Sequence, residues 1–141
     1  MSRSGFSDEG DSDNWALIRW RGAVNSAING KRGQAFLREV LAALDTLPEK
    51  KLISGELESQ GQVCLLGAVG KSRGMQMDRI DPEDHRTIAN CFRISNALAR
   101  ELMWFNDDAV GYWREETPEQ RFTRVRQVIQ NMIVEGDGAS V

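Results

Sequence analysis

The chain of 141 residues has only two cysteines, three prolines, one histidine and one tyrosine. It also lacks any apolar run of membrane-spanning length. Each scarcity narrows the field. Cys64 and Cys91 stand singly, with no CxxC pair and no secretory apolar stretch before them, so thiols kept reduced in a cytoplasm are the default reading. One histidine and two separated cysteines make a dedicated zinc site improbable, and no cofactor is implied. Strong positive charge is missing too. The 18 Lys and Arg against 21 Asp and Glu give a formal net charge of −3, unlike an ordinary basic nucleic-acid binder.

What is present points to a single domain. Leu, Ile, Val, Phe and Trp recur through the middle of the chain, which is long enough to bury a core without metal or disulfide. Residues 1–12 read as a disordered acidic tail carrying Asp8, Glu9 and Asp11, residues 13–135 as one helical domain, and residues 136–141 as a frayed end. Between Asn14 and Asn29, Leu17, Trp20, Val24 and Ile28 follow the helical period, while Trp15 and Ile18 lie elsewhere on the wheel. Such a helix is expected at the centre of the core, closed by Gly30 as a left-handed cap. Phe36, Leu37, Val40, Leu41 and Leu44 form a second helical stripe, ended by Pro48, and the two helices suggest an antiparallel hairpin.

Residues 50–74 are open to two readings. A short strand pair near 52–66 is one, and a buried helix over 63–73 ending at Gly74 is the other. The helix is favoured for 63–73, because Lys71, Ser72 and Arg73 would form its polar last turn. Asp81-Pro82-Glu83-Asp84 and Thr117-Pro118-Glu119-Gln120 are helix starts, the second with the capping-box partner in place. The helix after Asp81 is expected to break near Arg93–Ser95, and 106–116 to form a polar loop. The fold expected is therefore a mostly α, single-domain bundle of five or six helices, with room for one short strand pair near residues 52–66.

Few residues suggest chemistry. Lys31 and Arg32, between Gly30 and Gly33, could hold an anion beside a helix start, although glycine caps explain the same four letters. The spacing is not that of a phosphate-binding loop. Cys64 and His85 are the one pair that could form a nucleophile and base, but Cys64 lies in an apolar run and nothing local orients His85. The acid pairs Asp107-Asp108 and Glu115-Glu116 lack calcium-loop spacing, so no metal site is assigned. Trp15, Trp20 and Trp104 are expected in the core. Tyr112 and Trp113, in a polar loop, are the candidate exposed contacts.

Several segments carry a resemblance: 13–22 (DNWALIRWRG), 30–38 (GKRGQAFLR), 47–53 (LPEKKLI), 63–70 (VCLLGAVG), 81–84 (DPED), 106–107 (ND) and 116–122 (ETPEQRF). In these the chain resembles a group of small phage and prophage proteins that have no assigned activity. The Cys-Leu-Leu-Gly block also looks like that of a broader class of small helical proteins in which the Cys starts a buried helix. The resemblance implies a mobile-element origin and the cytoplasm of a bacterial host, with no catalytic residue to carry over. The leading expectation is an accessory protein that binds a host or phage macromolecule, most simply another protein, and could counter host defence. Lys31, Arg32, Tyr112 and Trp113 are its candidate contacts. The alternative is a nucleic-acid-associated protein using the basic segment 19–51, weakened because Arg19 and Arg21 point to different helical faces. An enzyme with a Cys64 nucleophile is a distant third, and no membrane association is expected.

Overall fold

The computed structural model describes residues 14–77, 79–110 and 115–134. The acidic tail at 1–12, the contacts Tyr112 and Trp113, and the frayed end at 136–141 lie outside the described residues. Within them, α1 (Asn14–Asn29) and α2 (Lys31–Thr46) precede β1 (Glu58–Ser59) and β2 (Gln62–Val63). There follow α3 (Leu65–Ser72), α4 (His85–Phe92), α5 (Asn96–Asp107) and α6 (Pro118–Met132). The fold is a helical bundle with one short antiparallel strand pair, in which Glu58 faces Val63 and Ser59 faces Gln62. Gln60 and Gly61 turn the hairpin with positive φ, the conformation that matches strand twist in a two-residue turn.

Helix α3 sits at the middle. Every residue from Leu65 to Gly70 is buried, which an eight-residue helix achieves only when surrounded. Two glycines permit this. A Cβ at Gly67 would strike the Leu57 carbonyl, and one at Gly70 would strike the Met77 sulfur. Around α3 the core gathers Leu37, Val40 and Leu44 of α2, Ile88 and Phe92 of α4, Leu98 and Leu102 of α5, and Val125 and Ile129 of α6. Helix α3 ends as the sequence predicts, with Lys71 in its last turn and Gly74 in the left-handed region.

Helix α1 departs from expectation. Only Val24 of its large apolar residues is buried, while Trp15 is 68% exposed and Ile18 55% exposed. Trp20 is half-buried under the Arg100 guanidinium, 4.9 Å from its ring centre, and Trp104 is half-buried edge-on to Phe105. None of these three tryptophans belongs to the core cluster. Helix α1 is peripheral because α2 and α5 offer it one side only, whatever the apolar content of its other faces.

The α1–α2 joint is also tighter than predicted. Gly30 is not a left-handed cap but an extended residue, φ −74° and ψ 164°, standing as N-cap of α2. Its N–H donates to Ser26 O, ending one ladder, and its carbonyl accepts from Gln34 N, starting the next. Lys31 and Arg32 are therefore helical. Gly33 lets the helices touch, since a Cβ there would overlap the Ala27 carbonyl. Beside it, the buried Gln34 amide donates to Ile28 O and Met132 O, and its carbonyl accepts from Val134 N. One side chain thus fastens the ends of α1 and α6 to the start of α2.

The start of α4 lies three residues later than expected, with Asp84 and not Asp81 as its N-cap. Asp81 accepts from Glu83 N within a turn, and Asp84 is the N-cap, accepting from Thr87 N and the Thr87 hydroxyl. The helix breaks at Arg93, which adopts φ 60° and ψ 44° where a glycine is usual. That left-handed backbone costs an L-residue about 1 kcal/mol. Ser95 then caps α5. The Thr117–Gln120 capping box forms in full.

These contacts give opposite expectations for two glycines. Gly33→Ala should lower stability by about 1–3 kcal/mol through the clash with Ala27. Gly22→Ala, on exposed α1 with open space around it, should raise stability by about 0.5–1 kcal/mol through helix propensity. Urea unfolding of both variants measures the pair.

Candidate functional site

Among the described residues, two surface clefts and one groove collect residues that the sequence singles out. The first cleft, about 650 Å³, opens between α2, the end of α3 and the α4–α5 joint. Its walls carry Arg32 from α2, Arg73 from the α3 cap and Arg93 from the α4 cap, with Glu39 and Asn90 beside them. The buried rings of Phe36 and Phe92 form its floor, meeting edge-on at 6.1 Å. Arg73 lies over both rings, 5.8 and 5.7 Å from their centres. It grips Glu39 in a two-pronged pair, both N···O distances 2.7 Å. The Arg73 hydrogen bonds hold the Glu39 carboxyl below its ordinary range, against the opposing effect of partial burial. The side chains of Arg32 and Arg93 have no hydrogen bond or ion pair among the described residues.

A groove of about 360 Å³ adjoins this cleft at the α1–α2 joint. Lys31 and Arg32 line it together with Ser26, Ser95 and Leu98. The two cations singled out in the sequence are thus both exposed, and Arg32 borders both depressions.

The second cleft, about 460 Å³, lies across the molecule's α5 face. Ser54, His85, Arg100, Trp104, Asp107 and Asp108 line it. No hydrogen bond links Ser54 to His85, or His85 to either aspartate, among the described residues, so these groups are neighbours and not an assembled relay. Burial, aided by Arg100, lowers the His85 pKa and favours neutral imidazole. Burial, aided by Asp107, raises that of Asp108. Asp107 itself is structural, accepting from Gly55 N and the Asn106 amide. Glu116, from the other acid pair, receives Arg121 at 3.3 Å and Arg124 at 2.6 Å. Among the described residues no group of three or more His, Cys, Asp or Glu is disposed to hold a metal.

Cys64 does other work. It is the N-cap of α3, its sulfur accepting from Gly67 N at 3.3 Å. Burial pushes the thiol pKa up to about 12, the capping bond notwithstanding. A protonated, enclosed thiol is a poor nucleophile, and His85 lies in a cleft that Cys64 does not line. Among the described residues no hydrogen bond joins the two.

Sequence reasoning found Lys31 and Arg32 but passed over Arg73, Asn90 and Arg93 as site residues. Arg73 reads as a polar last turn and Arg93 as a helix break. Only the packing of α3 and α4 against α2 brings them together. No helix among the described residues is long and apolar enough to cross a membrane.

Two outcomes follow for solution experiments. Native protein at pH 8 should take up one equivalent of a thiol reagent, at exposed Cys91, and a second at Cys64 only on unfolding. Release of the coloured leaving group with and without denaturant counts both. The Glu39–Arg73 pair should stabilise the fold above the ordinary glutamate value of 4.5 and lose that effect as pH falls through the depressed folded value. Glu39→Gln should flatten this part of the stability–pH curve, read by thermal melting between pH 3 and pH 6, a window of about one to two units around the ordinary value.

Neither a known protein family, nor a curated protein, nor a solved structure matches the chain.

Proposed function

We propose that this protein acts by binding another protein, through the basic corner where α1 meets α2. The observation that carries this reading is the placement of Lys31 and Arg32. Both are exposed in the first turn of a helix, both line a groove, and neither side chain is spent on an internal pair among the described residues. Exposed, unpaired cations beside partly apolar depressions suit an acidic protein surface, where arginine gives directional contacts to carboxylates. The resemblance to small phage and prophage proteins supports an accessory role in which the partner is a host or phage protein. Countering a host defence is one form of that role, exercised in the bacterial cytoplasm.

The nucleic-acid alternative has less support. Within the basic segment 19–51, Arg38 donates to Val134 O, Lys50 to Asp45 O and Leu47 O, and Lys51 pairs with Glu49 and Glu119. Those charges are partly occupied inside the chain and do not form one continuous track for phosphates.

The test is an affinity pull-down with the tagged protein and its Lys31→Glu/Arg32→Glu variant, from phage-infected and uninfected bacterial lysates, with and without nuclease. A stoichiometric protein retained by the wild type and lost by the variant is the expected result. Recovery of nucleic acid alone, or of the same proteins by both, overturns the reading.

A further inference from the structure

The larger cleft has features that the basic corner does not require. We infer that the Arg32–Arg73–Arg93 cleft is a receptor for an acidic peptide segment of the partner, taking its carboxylates between Arg32 and Arg93. The inference rests on the binding reading above and names the chemistry of the site.

Charge comes first. Three arginines from three separate elements meet one carboxylate, Glu39, and that carboxylate is already claimed by Arg73. Two guanidiniums are left in the lining, Arg32 from α2 and Arg93 from the α4–α5 joint, with Asn90 of α4 lining the same cleft. The cleft also contains a worked instance of what it would bind. Arg73 holds a carboxylate in a two-pronged grip while lying over Phe36 and Phe92. The flat guanidinium matches a carboxylate in this way, and a ring beneath it restricts its motion. Arg32 and Arg93 rim the same aromatic floor and lack their carboxylates.

The backbone of Arg93 is the second line of argument. Helix α3 places Gly74 in the left-handed region just past its cap, whereas α4 places Arg93 there. Glycine would adopt φ 60° without strain. A left-handed arginine whose side chain has no hydrogen bond or ion pair among the described residues, yet lines a cleft, points to a use for that side chain outside the chain. The net charge of −3 works against a long polyanion such as nucleic acid, but a short acidic stretch meets only the local field.

The test is a titration of the isotope-labelled full chain with hexaglutamate at low salt, followed by amide resonances, with hexathymidylate and inorganic phosphate as comparison probes. Hexaglutamate should shift Arg32, Arg73, Asn90 and Arg93 first, and added salt should weaken it. Arg93→Gly should weaken binding roughly threefold while leaving the melting temperature unchanged or higher. Arg32→Gln should weaken it by a similar factor. Glu39→Gln, which frees Arg73, should tighten it. Weakening by Arg93→Gly together with a raised melting temperature separates a ligand-holding residue from a structural one. Several results overturn the inference: no binding at millimolar hexaglutamate, shifts confined to other faces, or equal affinity in all variants. Tighter binding of hexathymidylate at the same residues overturns it in favour of nucleic acid, and equal binding of phosphate reduces the site to a general anion site. A pull-down partner lost on Lys31→Glu/Arg32→Glu, but unaffected by Arg93→Gly, would leave the binding function standing and sink this cleft alone.

Discussion

The amide of Asn106 is the constraint on which most of the architecture turns. It is 1% exposed, and its oxygen accepts from Leu65 N while its nitrogen donates to Ile53 O and to Asp107 Oδ1. Those partners belong to the first turn of α3, the strap before the hairpin, and the end of α5. A buried amide can be neutral to folding only if its donors and acceptor are met, and each partner would be orphaned if it moved away. Arg124 secures the same junction from α6, donating to Phe105 O and more distantly to Asn106 O while pairing with Glu116. Arg121 adds Leu52 O. Polar contacts thus define where the central apolar helix sits, and the leucines around it supply the driving force.

The clefts follow from that placement. With α3 fixed against the strap and α5, its cap residue Arg73 is delivered to the side of α2, where Glu39 and the phenylalanine rings receive it. The α4–α5 break then brings Arg93 to the same cleft. The strand pair contributes by closing over Gly67, the one place where the Leu57 carbonyl must approach a helix directly.

Local chemistry was legible in the sequence, and convergence was not. Thr117, Pro118 and Gln120 specify a helix start within four residues, so the structure matches them atom for atom. Asp81 and Asp84 both offer a capping oxygen. The sequence alone could not rank them, because Asp81 is used in a turn that only the fold of 79–84 reveals. Gly30 fits a helix end or a helix start, and only the one-residue spacing to Lys31 decides. Trp15 and Ile18 lie on apolar arcs of a plausible core helix, yet both stay largely exposed, since burial depends on what packs against an arc and not on its apolar content. The cationic cleft is the extreme case. Arg32, Arg73 and Arg93 are some forty and twenty residues apart (roughly, by their numbering), so no window of sequence contains it.

Gln34 has a consequence for the order of events during synthesis. Two of its three partners, Met132 O and Val134 N, are synthesised 98 and 100 residues after it. Contacts of such sequence separation carry a loop-closure cost and cannot form while the later residues are still inside the ribosome. Helices α1 to α5 can gather around α3 as they emerge, yet the amide at the start of α2 stays facing water until α6 docks. Completion of the native state therefore waits for α6, and interrupted translation products lacking α6 leave the face of α2 around Gln34, Val40 and Leu44 open to association with other chains.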